Sequence, residues 1–289
     1  MNHRKPGQQI YYRGSLKSCN YSCSYCPFSK HKITRKQLER DQMELQQFVR
    51  RIREYHKPLA VLIVPYGEAL VHAYYWEALG IMSQMRHVDA VGCQTNLSFP
   101  VDQMLERYRQ NGGELDKLRL WCTFHPSMTT CDDFLAQCHR LHRAGIRFSA
   151  GAVGDPANLS RIQQVRDGLP GEIYLWINRM DGLGRPYTQS EKKAFLRLDP
   201  CFDLELSHVP ADIRHCGGQI FVHPDGHVSR CNLTQEYEIC NKRECQCFLA
   251  YCNRSDIYGL RVFGSYPAFR IPDDSMFGVE TNDDWKFIK

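Results

Sequence analysis

No run of apolar residues in this chain approaches the roughly 20 needed to cross a bilayer as a helix. The longest, Leu59–Val64, is only strand-sized. The opening segment Met1–Gln9 has no apolar stretch of the kind a secretory signal carries. There is no internal repeat and no low-complexity tract, which leaves ordinary globular packing. Mean hydropathy is −0.49, and 43% of the 289 residues are hydrophobic. The expectation is a cytoplasmic protein with no membrane association. Its length suits one large α/β domain, or such a domain with a small appendage.

Cysteine is abundant by contrast, with fourteen residues in the chain. Without a secretion signal, metal or redox use is a better reading than a disulfide scaffold. Three cysteines crowd together at Cys19, Cys23 and Cys26, and seven follow residue 200. Cys93, Cys122, Cys131 and Cys138 are scattered and read as core residues. Charge is uneven too. Residues 1–60 carry thirteen Lys/Arg against four Asp/Glu, whereas the last nineteen residues are acidic. A basic face of this kind suits nucleic acid, an acidic substrate or an acidic electron-transfer protein, or is simply the solvent side of a helix.

Six strand-like segments alternate with amphipathic patterns: Ile10–Arg13, Leu59–Val64, Val88–Thr95, Leu118–Phe124, Ile146–Val153 and Glu172–Asn178. Thr34 with Gln37, Thr130 with Asp133 and Thr188 with Glu191 have the spacing of helix N-caps answered three residues later. Asp155-Pro156 reads as a cap followed by proline at the first helical position. In the first helix Leu38, Leu45, Phe48, Val49, Ile52 and Tyr55 form one apolar stripe. Six βα units imply a parallel sheet, doubly wound or curled into a partial barrel. Near residue 200 the texture changes, dividing the chain into residues 1–200 and a cysteine-rich 201–289. There Gln219–His223 and His227–Cys231 flank Pro224-Asp225-Gly226 and read as a β-hairpin.

The segment Cys19-Asn-Tyr-Ser-Cys23-Ser-Tyr-Cys26 directly follows the first strand. Three soft thiolates within eight residues suit an iron–sulfur cluster or zinc. Three ligands leave one iron of a [4Fe–4S] cube open to a small molecule. This C-x3-C-x-aromatic-C pattern, with Tyr25 as the aromatic, resembles the signature of the radical SAM superfamily. Segments Tyr12–Gly14, Cys19–Tyr21, Cys26–Phe28 and Cys93–Asn96 are similar to those of small bacterial radical SAM proteins. The resemblance implies a partial (β/α)6 TIM-type barrel. It also implies a catalytic [4Fe–4S] cluster on Cys19, Cys23 and Cys26, whose open iron chelates S-adenosylmethionine (SAM). Reductive cleavage then yields a 5′-deoxyadenosyl radical that abstracts a substrate hydrogen.

The same resemblance assigns cofactor contacts. Tyr66-Gly67-Glu68 is similar to the family's Gly-Gly-Glu, with Tyr66 in place of the first glycine, so Gly67 and Glu68 carry over. Asn96, after the third strand, is placed for the ribose or carboxylate of SAM. Gly151, Val153 and Gly154 resemble the segment whose backbone packs on adenine, and Asn178 ends the sixth strand in an equivalent position. The other readings are a loop carboxylate for Glu68 and turn residues for Asn96 and the glycines. His125 follows the fourth strand and is the candidate to bind cofactor or substrate or to move a proton, or is a solvated loop histidine.

Cys216 and Cys231 sit at the base of the hairpin, with Cys240, Cys245, Cys247 and Cys252 downstream. This resembles the C-terminal extensions of SPASM and Twitch radical SAM enzymes. It implies a second [4Fe–4S] cluster on Cys216, Cys231 and two of Cys240, Cys245 and Cys247, with zinc on the same cysteines as the rival. The partners implied are a peptide or protein substrate, or else a small metabolite or nucleotide, and an acidic electron donor such as a flavodoxin or ferredoxin. A non-enzymatic protein binding nucleic acid is less favoured, because the basic residues lack interleaved aromatics to stack on bases.

Overall fold

The computed structural model describes residues 8–26, 32–180, 182–200, 202–206 and 219–229. Strands and helices alternate through β1 Gln8–Tyr12, α1 Arg35–Glu54, β2 Leu59–Ile63, α2 Ala73–Ser83, β3 Val88–Thr95 and α3 Val101–Gln110. They continue as β4 Leu118–Phe124, α4 Cys131–Arg143, β5 Arg147–Val153, α5 Leu159–Gly168, β6 Leu175–Asn178 and α6 Gln189–Leu198. A short α7, Asp203–Leu206, precedes the hairpin β7 Gln219–Val222 and β8 Val228–Ser229.

The helix starts follow the local chemistry. Thr34 and Thr188 each close a capping box, with Gln37 and Glu191 respectively, and the Thr130 hydroxyl accepts the Asp133 N–H. Asp155 caps a single 3-10 turn, Pro156–Asn158, that leads into α5. Strand six is shorter than expected because Pro170 to Ile173 close a turn, with the Ile173 N–H donating to the Pro170 carbonyl at 3.0 Å. β1 starts earlier than its apolar residues do, since its backbone is paired on both sides from Gln9 onward.

The sheet order is β6-β5-β4-β3-β2-β1-β7-β8. All neighbours are parallel except β7 and β8, which form the antiparallel hairpin. The hairpin read from Pro224-Asp225-Gly226 is present, with Gly226 at φ +85 where only glycine is unstrained. Its first strand adds a seventh parallel strand to the barrel sheet beside β1. The pairing is non-local, and nothing in the local pattern announces it.

One face of the sheet, through Ile10, Tyr12, Val61, Ile63, Cys93, Leu120 and Phe148, packs into the core made with the helices. The other face holds a second cluster drawn from the strands and the residues that border them: Tyr11, Ala60, Leu62, Ala90, Trp121, Tyr174, Trp176 and Phe221. Helices on one side and an interior without helical residues on the other define a curled, partial barrel. Trp121 and Trp176, on strands two apart, meet at a ring-centroid distance of 4.6 Å. They meet across β5 because Gly151 has no side chain: a Cβ there would run into the Trp176 indole.

Cys216, Cys231, Cys240, Cys245 and Cys247 lie outside the described residues. Among the described residues no helix is long and apolar enough to cross a membrane.

Candidate functional site

Every site residue predicted in the barrel except Gly151, which lies inside β5, sits at the C-terminal end of a strand or in the loop that follows it, the end where α/β folds gather their chemistry. The cysteine loop follows β1, Glu68 follows β2, Asn96 follows β3, His125 follows β4, Gly154 follows β5 and Asn178 closes β6.

The cysteine loop is pinned to the β2 loop by its backbone. The Gly67 N–H donates to the Leu16 carbonyl at 3.0 Å and the Glu68 N–H to the Ser18 carbonyl at 2.9 Å. Gly67 is glycine because a Cβ would collide with the Ser18 backbone carbonyl. From the other side, buried Asp41 of α1 holds the start of the loop. Its carboxylate accepts the Ser15 N–H at 3.0 Å and the Tyr74 and Tyr75 hydroxyls at 2.8 and 2.7 Å. Asp41 was not singled out from the sequence, although it falls on the stripe spaced from Leu38 to Leu45. Arg13 stacks over the Tyr66 ring at 4.7 Å, which gives the tyrosine in the first-glycine position a packing role.

Glu68 is 4% exposed. One carboxylate oxygen accepts the Leu70 N–H at 3.1 Å and the Thr95 hydroxyl at 2.7 Å, and the other accepts the Asn96 N–H at 2.6 Å. The side chain therefore joins the β2 loop to the end of β3. Asn96 is further fixed by its own turn. Its side-chain Oδ1 accepts the Ser98 N–H at 3.0 Å, and Leu97 adopts φ 56, a left-handed conformation costly for a branched residue. So held, Asn96 aims its amide at the Cys19 sulfur, 3.6 Å away, and at Asn20 Oδ1, 3.0 Å away. The Tyr21 N–H reaches the same sulfur at 3.3 Å.

Cys19, Cys23 and Cys26 are free thiols, Cys23 buried and the other two partly exposed. Among the described residues no three metal-ligating side chains converge on one ion's position. In a cubane each cysteine bonds a different iron. The donor set fits that group: three soft ligands on one loop, with N–H donors directed at a sulfur, the outer-shell bonding that such clusters use.

Tyr25 and His125 come together, the phenol oxygen 2.8 Å from His125 Nδ1. Tyr21 meets the same imidazole edge-on at 5.9 Å. Burial pushes the Tyr25 hydroxyl well above its ordinary range and the His125 imidazole down to about 4, so both are neutral near pH 7. Gly154 donates its N–H to the Asn178 carbonyl at 2.7 Å, and its own carbonyl accepts the Tyr187 hydroxyl at 2.7 Å. Val153 is partly exposed at the end of β5. Gly151 lies deeper, under Trp176.

Buried Glu68 and half-buried His125 oppose each other in pH dependence. Burial lifts Glu68 from 4.5 to about 7, so its contribution to stability is full below pH 4.5 and falls as pH rises toward 7. Burial lowers His125 from 6.5 to about 4, so its contribution is full above pH 6.5 and is lost as pH falls toward 4. Each amounts to about 3 kcal/mol at most. Between pH 4.5 and 6.5 the two slopes cancel. Thermal melts of the apo-protein are expected to be flatter with pH in the wild type than in either variant. Glu68→Gln should show a melting temperature that rises across that window, and His125→Asn one that falls. Parallel profiles for the wild type and Glu68→Gln would show that Glu68 does not titrate there.

The sequence profile of the Radical SAM superfamily matches residues 16–166, just over half of the chain. Among solved structures, a histidine-tagged form of anSMEcpe with bound AdoMet is similar at 14% identity and a TM-score of 0.53, covering 83% of this chain and 74% of that one. "Native anSMEcpe with bound AdoMet and Cp18Cys peptide" is similar at 15% identity and a TM-score of 0.52, covering 78% and 74%. At such identities the likeness is one of fold. Comparison with curated proteins found no match. The profile begins in the cysteine loop and runs through α5, so it takes in the strand ends where Glu68, Asn96 and His125 sit, and this chain belongs to the Radical SAM superfamily.

Proposed function

We propose that this radical SAM enzyme modifies a peptide or protein side chain. Membership of the superfamily implies SAM and a [4Fe–4S] cluster. Cys19, Cys23 and Cys26 would hold that cluster, which when bound supplies the electron that cleaves SAM to methionine and the 5′-deoxyadenosyl radical. The observation that carries the assignment is the pair of N–H donors, from Tyr21 and Asn96, directed at the Cys19 sulfur. They stabilise a thiolate there and orient it.

The other residues prepare the site. Glu68 holds Asn96 in place, Gly67 lets the cysteine loop lie against the β2 loop, and Tyr25 is steadied by His125. Val153, Gly154 and Asn178 line the rim on which the adenosine would rest. The aromatic interior beneath, with Trp121 and Trp176, excludes water from a reactive radical. In this reading His125 is neutral and either orients Tyr25 or moves a proton at Nδ1. A peptide substrate is supported by the fold shared with anSMEcpe, which has been solved with a bound peptide. It is also supported by the hairpin whose flanking cysteines, Cys216 and Cys231 with two of Cys240, Cys245 and Cys247, would bind a second [4Fe–4S] cluster.

The test is anaerobic. The full-length protein is reconstituted with iron and sulfide and given SAM and dithionite, and 5′-deoxyadenosine is quantified by mass spectrometry. Product is expected without substrate, at a slow uncoupled rate, and pooled synthetic peptides should raise it. No product from an iron-loaded protein would overturn the enzymatic reading. Stimulation by nucleotides or small metabolites, but not by peptides, would overturn the peptide assignment alone.

A further inference from the structure

Two polar side chains on the interior face of the sheet are left without a partner. Gln94 of β3 follows Cys93, which faces the helix-side core, so it points with Ala90 into the interior. Thr123 of β4 lies between Cys122 and Phe124 of that core, so it shares the interior face with Trp121. The strands are neighbours, with Gln94 paired to Trp121, and Thr123 pairs in turn with Gly151 of β5. The Trp176 indole lies over Gly151, so Thr123 is flanked by two indoles, Trp121 and Trp176. Gln94 and Thr123 are half-buried, whereas both tryptophans are buried. The Thr123 hydroxyl oxygen is itself buried and, like the Gln94 carboxamide, has no hydrogen-bond partner among the described residues. An unpaired hydroxyl in such a place costs stability that an isosteric valine would not. Each residue also precedes by two positions, about 7 Å of strand, a residue that touches the cysteine loop. These are Asn96, whose amide reaches the Cys19 sulfur, and His125, bonded to Tyr25.

We infer that Gln94 and Thr123 are specificity-determining residues that bind a carboxamide of the substrate, held over the Trp121 and Trp176 indoles. The inference deepens the peptide reading and rests on it. A carboxamide presents an acceptor and a donor in one plane, and the Gln94 side chain answers with the same pair of groups. The Thr123 hydroxyl donates or accepts as the pose requires. Both residues are neutral, which suits an amide, whereas a phosphate or carboxylate is bound best by charged donors. The indoles supply a flat apolar surface on which a planar group with a short aliphatic stem packs. The amide belongs either to an Asn or Gln side chain or to a peptide bond, which share this chemistry.

The experiment measures 5′-deoxyadenosine formed by the reconstituted holoenzyme with SAM and dithionite, with and without two pools of synthetic peptides. One pool is rich in Asn and Gln, and the other carries Asp and Glu at the same positions. The proteins are wild type, Thr123→Val and Gln94→Leu. Peptide stimulation is expected to fall about tenfold in each variant. Thr123→Val should melt no lower than wild type, because the lost hydroxyl leaves no partner behind. Kept stability with lost stimulation is a combination that a packing role does not give. Stimulation of wild type by the amide pool alone supports a side-chain amide. Equal stimulation by both pools, lost in both variants, supports the peptide bond. Stimulation by the acidic pool alone would overturn the inference. Undiminished stimulation of both variants would overturn it too and leave the peptide reading standing. A lowered melting temperature of Thr123→Val, with SAM binding weakened by calorimetry, would assign Thr123 to packing or to the cofactor and overturn its substrate role. Wild type that forms 5′-deoxyadenosine but answers to no peptide would overturn the peptide reading and this inference with it.

Discussion

Cys23→Ala is expected to reduce iron incorporation to background and to lower 5′-deoxyadenosine formation at least about a hundredfold. Cys23 is the buried member of the three, 5% exposed, whereas Cys19 and Cys26 lie toward the surface. Its loss leaves two thiols on a loop that must close three corners of a cube, and no other described cysteine lies in that loop. The substitution itself removes one buried sulfur, so the fold should lose only about 1–2 kcal/mol. Cys93→Ala is the informative control. Cys93 is fully buried in β3 as part of the helix-facing core, and burial pushes its thiol well above the ordinary range. That variant should cost a similar stability yet retain iron, SAM cleavage and rate. Iron and sulfide content with product yield settles both, and a Cys23→Ala protein that loads iron normally would remove the cysteine triad from the mechanism.

Gly67→Ala should be nearly as damaging, by a different route. The added Cβ would fall on the Ser18 carbonyl oxygen and within 2.9 Å of the Ser18 backbone nitrogen and carbonyl carbon, so no side-chain rotation can relieve it. Either the β2 loop or the cysteine loop must move, breaking the bonds from Gly67 to Leu16 and from Glu68 to Ser18. A cost of about 3 kcal/mol or more is expected. The displaced loop would carry Cys19 away from Asn96. A lowered melting temperature together with poor cluster loading is the expected result. Normal loading at a lowered melting temperature would show that the two loops are coupled less tightly than their bonds imply. By contrast, Gly145→Ala has open space around the added carbon but φ +71, so it should cost only the backbone strain of about 1 kcal/mol.

Residue spacing carried the barrel a long way. The strands β3 and β4 fall where the apolar runs of the sequence place them, and the threonine caps of α1, α4 and α6 are made as their spacing requires. These features are local: a strand's alternation and a cap's hydroxyl are read within a few residues. The grouping of Cys19, Cys23 and Cys26 on one loop was equally legible, since they lie within eight residues of one another. What could not be read were the meetings between distant segments. Asp41 under the cysteine loop, Arg13 over Tyr66 and the Tyr25–His125 bond each join residues that no local pattern connects.

The sequence by itself therefore determined the class of fold and gathered three cysteines on the loop after the first strand. Hydrophobic period and ligand spacing act over short stretches and survive in any context. Only the tertiary structure decided that β7 joins β1 and that Gly67 is needed for loop contact. It likewise decided that Glu68 spends its carboxylate on Leu70, Thr95 and Asn96. Those outcomes depend on burial. Glu68 is an exposed loop acid or a buried clamp according to what surrounds it, and only packing of the β2 and β3 loops supplies the three donors and the desolvation that make it the second.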